Sequence, residues 1–201
     1  MANIVFASIV PHPPILLPWI GSEKDKSELK ETLKSLDVLA NDLEKSNPDS
    51  IIISSPHQDW GFNVPLYFLS KNFKGDIKKY LIGLEPPEFY FEKGKKLYKE
   101  FEKNKRYAII ASGDMSHCLK EDGPYGLHSD GPKYDKAFKD YLIKKDIKKI
   151  QNLDKMFPEA GECGLRSFCF LFGVLNKEEW KPKILSYQFP FGVGYLTAKL
   201  K

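Results

Sequence analysis

Three of the four histidines in this chain each stand just past an apolar, strand-like run: His12 after NIVFASIV, His57 after SIIISSP and His117 after YAIIASGDMS. In open α/β sheets, ligands gather at the carboxyl ends of the strands, so three strands would deliver three imidazoles to one rim. Neutral imidazole and carboxylate suit Fe(II), Zn(II) and similar ions, and two histidines with one carboxylate on one face leave positions open for substrate and dioxygen. The carboxylate candidates near element ends are Asp59, Asp114, Glu159 and Glu162, and spacing alone does not choose among them. One such histidine taken singly is better explained as a structural loop residue beside a proline; three at strand exits reverse that preference.

The elements that must position these residues alternate. Residues 3–10 form a short buried-type strand closed by the proline-rich loop PHPPILLP, which contains His12. Leucines 29, 33, 36, 39 and 43 are spaced by four, three, three and four, which predicts a one-sided helix from Ser27 to Lys45, stopped by Asn47 and Pro48. Residues 51–53 make a second buried strand, completing a βαβ unit. Residues 62–69 and 79–84 are apolar-rich and are predicted as strands, and Pro86 and Pro87 suit the first turn of a helix running to about Lys103. Tyr107 to Ala111 is another strand, and residues 121–132, rich in Gly and Pro, form a surface loop near the same rim, placed to act as a lid. Helices follow over 133–144 and 162–175, then a final strand pair in ILSYQF and GVGYLTAKL. The expectation is a single α/β domain over residues 1–201 with a mixed central sheet flanked by helices.

Composition excludes several classes. No apolar stretch approaches the roughly 20 residues of a membrane span, and the N-terminus has no basic region ahead of its apolar run, so neither a membrane protein nor a signal peptide is expected. The net charge is +4, yet the lysines alternate with acids, as in EFYFEKGKKLYKEFEKNK, which reads as a solvated face and not a nucleic-acid surface. Cys118, Cys163 and Cys169 are odd in number and form no CxxC, so a disulfide framework is not expected and a cytoplasmic location fits.

The stretches SIVPHPPILLP, IISSPH, VPLYFL, ASGDMSHCLKEDGPYG with HSDGPKYD, AGECGLRS and SYQFPFGVGY occur in that order from Ile9 to Tyr195. Together they resemble the class III extradiol ring-cleavage dioxygenases, catalytic (LigB-type) subunit, and within them the short proteins related to Memo. The resemblance implies a LigB-like fold, His12, His57 and Glu162 as metal ligands, and His117 as the histidine that exchanges protons with a catechol. It implies Fe(II), or alternatively Zn(II), as the metal, and a small aromatic substrate with dioxygen as reactants; related proteins often pair, so a homo-oligomer is compatible. Cys163 competes with Glu162, because Memo-type relatives carry a pocket cysteine at about this place, and neighbours on a helix point about 100° apart, so one of the two faces the metal. The competing explanation for Glu162 is that it caps the helix beginning there.

The chain also departs from the pattern. Where active members carry Asp-His-Gly, it reads Asp59-Trp60-Gly61, and the segment that normally separates that motif from the second ligand is absent. Indole N–H is a donor only, so Trp60 stacks on an aromatic ligand or packs, but shuttles no proton. His128 in the Gly-rich loop is the remaining substitute acid or base, though solvation is its more ordinary state, and Arg166 is placed to pair with Glu162 or meet an anionic substrate. Cys118 and Cys169 read as packing residues, and Asp114 and Ser116 either orient His117 or serve to form the turn, which explains them equally well. The rivals to ring cleavage are a non-catalytic or redox-active Memo-like metal-binding protein and a Zn(II) hydrolase with His117 as base.

Overall fold

A computed structural model describes residues 3–201. Its centre is one six-stranded sheet made of β1 (Asn3–Val10), β2 (Ser50–Ser55), β3 (Asp76–Leu81), β4 (Arg106–Ser112), β5 (Lys183–Gln188) and β6 (Tyr195–Lys199), in the order β3-β2-β4-β1-β6-β5. The first four strands run parallel, β6 pairs antiparallel with β1 and β5 antiparallel with β6, so the sheet is mixed as expected. Strands β1 and β2 do not touch, because β4 inserts between them; the βαβ unit crosses over one strand position.

The central strands are buried on both faces, as hydrophobic runs without polar alternation require. Side-chain alternation splits them between two cores: Ile51, Ile53, Ala108 and Ile110 face one layer, and Ile52, Ile109 and Ala111 face the other. The first layer is made by α2 (Lys30–Ser46), through Leu36, Leu39 and Leu43, and by α3 (Trp60–Leu69). Burial of each such leucine contributes roughly 1.5 to 3 kcal/mol. The second layer contains α4 (Pro87–Lys99), α5 (Asp130–Lys144), α6 (Ile147–Ile150), α7 (Leu153–Met156) and α8 (Leu165–Val174). A short helix α1 (Glu23–Glu28), closed by a Ser22–Asp25 capping box, precedes α2.

Three expectations are corrected. Residues 62–69 are helix α3 and not a strand; a short apolar run is ambiguous between the two, and here tertiary burial decides for helix despite Pro65 inside it. Strand β3 ends at Leu81, three residues before the predicted end, and is an edge strand with an exposed lysine pair. Helix α8 begins at Leu165 and not at 162, so Glu162 and Cys163 lie in the loop before it.

Candidate metal centre at the strand exits

The loops leaving β1, β2 and β4 converge as the histidine spacing predicts. One ligand atom each from His12, His57 and Cys163 lies within 4.8 Å of the others, and so does one each from Asp114, His117 and Cys163. The His12 and His57 rings meet edge to face with centroids 5.1 Å apart. His12 Nε2 is 3.5 Å from Cys163 Sγ and 3.7 Å from Asp114 Oδ2.

His12 is fixed in a form suited to ligation. Its backbone N–H donates to Asp114 Oδ1 (3.0 Å), and its ring Nδ1 sits 2.9 Å from Ser112 Oγ. Ser112 Oγ also donates to the Gly61 carbonyl at 2.5 Å, and a carbonyl only accepts, so the single hydroxyl proton is committed there. Nδ1 must therefore carry the imidazole proton, which leaves the Nε2 lone pair facing Cys163. Burial, and then the nearby His57, lower the His12 pKa to about 3, so the ring is neutral throughout the physiological range.

Close backbone approach brings Cys163 in. A Cβ on Gly113 would lie 2.3 Å from Gly164 Cα, so glycine lets the β4 exit and the loop ahead of α8 touch. Gly164 N then donates to Asp114 O (3.0 Å) and Asp114 N to Cys163 Sγ (3.3 Å). Burial, with the Asp114 charge adding, raises the thiol pKa well above its ordinary value, so the thiol stays protonated unless a cation replaces the proton. Desolvation also raises Asp114 to about 6, against the pull of His117. His117 is lowered chiefly by burial, and its Nε2 is buried without a hydrogen-bond partner.

Glu162, the carboxylate expected as third ligand, lies outside both donor groups among the described residues. Glu162 Oε2 accepts from Leu165 N (2.6 Å) at the start of α8, and Oε1 lies 3.3 Å from Arg166 Nη1. It is therefore a carboxyl that caps the start of α8. The acid that does enter is Asp114. Arg166 is spent on Glu162, Asp154 Oδ2 (3.6 Å) and Glu85 O (2.9 Å), and points to no donor atom of the site. His128 is exposed, and its Nδ1 accepts from Asp130 N (3.2 Å), so it does not reach the centre. Trp60 is 44% exposed and tilts over the His57 ring at 5.0 Å, and Cys169 is core while Cys118 is half-buried. Sequence reasoning missed Ser112, for which no signal exists, and Tyr125, whose ring lies 5.0 Å from His117; its place in the Gly-Pro-Tyr-Gly tip of the rim loop was the available clue.

Two imidazoles, a thiol awaiting ionisation and an adjacent acid are a donor set that fits a divalent transition ion.

Comparison with known proteins gives the family and the fold. Residues 58–198 match the family model described as the catalytic LigB subunit of aromatic ring-opening dioxygenase. Protein CA_C1420 of Clostridium acetobutylicum is 30% identical over a 275-residue alignment that covers 96% of this chain and 56% of that protein. This chain thus spans about half of that relative, and the alignment exceeds the chain's own length, so the relative carries inserted residues. The crystal structure of an uncharacterized protein, JW3007 from Escherichia coli K12, superposes with a TM-score of 0.64 at 13% identity, covering 98% of this chain and 100% of that one, which shows a shared fold. Among the described residues no helix is long and apolar enough to cross a membrane.

Proposed function

This chain belongs to the family of the catalytic LigB subunit of aromatic ring-opening dioxygenase, and we propose that it is a metal-dependent oxidoreductase that opens a small hydroxylated aromatic ring with dioxygen. The observation that carries this reading is the convergence of His12, His57 and Cys163 beside His117, whose buried Nε2 has no other partner. Fe(II) held by the first three residues would supply the electron transfer between ring and dioxygen. His117 is the proton carrier: burial keeps it neutral, so Nε2 accepts a hydroxyl proton from the substrate, and the facing Asp114 steadies the cation that forms. Trp60 offers a π-face beside His57 and takes no part in proton movement.

A second reading rests on two observations. Cys163 stands where a carboxylate was expected, which shifts preference toward softer ions such as Zn(II), and Trp60 replaces a proton-active histidine. That reading is a metal-binding protein without ring cleavage. Anaerobic calorimetric titration of metal-free protein with Fe(II) and with Zn(II) is expected to show micromolar or tighter binding that His12→Ala abolishes, and the Fe(II) form is expected to consume oxygen when given catechols. Tight binding without oxygen uptake selects the second reading. Folded protein that takes up neither ion sinks both.

A further inference from the structure

Helix α3 contains a proline at its sixth position, and that proline bears on the metal centre. In a regular helix the Gly61 carbonyl would accept from the backbone N–H of residue 65, four positions on. Residue 65 is proline and has no N–H, so the carbonyl is released from the helix ladder. The acceptor it leaves is taken by Ser112 Oγ at 2.5 Å, across from the end of β4. Glycine at 61 makes this meeting sterically possible: a Cβ there would lie 2.0 Å from Ser55 Oγ and 2.9 Å from His57 Cβ, so only glycine seats the first turn of α3 on the exit of β2.

We propose that Pro65 is a positioning residue that sets the tautomer of His12 through Gly61 O and Ser112 Oγ. With the Ser112 proton drawn to Gly61, the hydroxyl presents only lone pairs to His12, which must protonate at Nδ1 and bare Nε2 toward Cys163. An alanine at 65 would supply a competing N–H to Gly61 O. Sharing the carbonyl between two donors would weaken its hold on the Ser112 proton, which would turn more often to Nδ1 and populate the opposite tautomer, whose Nε2–H blocks ligation. The proline thus trades one helical hydrogen bond for orientation of a group three steps away.

The assignment rests on the metal-centre reading only for its consequence, so the test begins without metal. Imidazole ¹⁵N NMR of metal-free wild-type protein is expected to show His12 protonated at Nδ1; Pro65→Ala is expected to populate the Nε2–H form and to weaken anaerobic Zn(II) binding by about tenfold. Ser112→Ala, which removes the relay directly, is expected to do the same, and Ser112→Thr to restore the wild-type spectrum by keeping the hydroxyl. Since alanine is a better helix residue than proline, the Pro65→Ala melting temperature is expected to hold or rise while affinity falls, a split that mere structural damage does not give. A His12 tautomer unchanged in both Pro65→Ala and Ser112→Ala overturns the proposal. If wild type shows the Nδ1–H tautomer and the variants lose it, yet no protein binds metal, the relay stands and the metal reading falls.

Discussion

Two glycine-rich loops flank His117, and they are built in opposite ways. The loop ahead of α8, Gly161 to Gly164, is pinned: Gly164 N bonds to Asp114 O, Cys163 Sγ accepts from Asp114 N, and Glu162 caps the helix. The loop from Glu121 to Ser129 is tied at its base by the Leu119–Leu127 bridge and the bond from His128 N to Cys118 O, and is otherwise closed by its own turn bonds, Gly123 N to Lys120 O and Gly126 N to Gly123 O. Its tip carries Tyr125, 66% exposed, and Gly126 with φ of 72° and open space around it. The contrast teaches a division of labour. A donor to a metal has to be held by several backbone bonds, whereas a contact to a variable substrate tolerates an adaptable loop.

That contrast is broken or sharpened most strongly at Cys163. Cys163→Ser is expected to weaken Zn(II) binding by about 100-fold or more, while Glu162→Gln leaves it unchanged; equal losses in calorimetry would put both neighbours at the ion and refute the division drawn between them. The same pair predicts the pH dependence. His12, at about 3, has no proton to release near neutrality, but the raised Cys163 thiol must lose one for each metal bound. Affinity should therefore rise about tenfold per pH unit between about pH 7 and 8.5, and this slope should flatten in Cys163→Ser.

Effects on the adaptable loop are smaller. Tyr125→Ala is expected to weaken catechol binding to the metal-loaded protein by about fivefold with metal affinity intact, and Tyr125→Phe to keep both, since only a ring face is asked of it. A loss of metal in Tyr125→Ala would show that this loop also holds the centre. At the low end, Glu162→Gln is expected to cost no more than about 1 kcal/mol in denaturant melts, because burial already raises that acid to about 7 and the amide oxygen still accepts from Leu165 N. His128→Ala is expected to shift neither stability nor oxygen uptake measurably; a clear loss of turnover would make it the substitute proton carrier that its exposed position argues against.

Most of the scaffold was legible in the chain, for a definite reason. Continuous apolar runs such as SIIISS and RYAIIAS specify strands buried on both faces, and the leucine spacing specifies one stripe on α2; those patterns are local and periodic. Three strand exits ending in histidine located the rim, and the ordered motifs from Ile9 to Tyr195 pointed to the LigB family. The segment 62–69 was not legible, since a short apolar run satisfies helix and strand alike.

The sequence by itself determined that His12, His57 and His117 lie at one end of a parallel sheet, because strand direction and chain order leave them no other place. Tertiary structure alone decided which neighbour of the pair Glu162 and Cys163 turns inward. The choice followed from where α8 starts and from the contact between Gly113 and Gly164, which no local pattern encodes. It likewise decided that Ser112, silent in the sequence, orients His12. A hydrogen bond between residues 100 positions apart exists only once β1 and β4 pair, and its direction is set by a carbonyl from a third element.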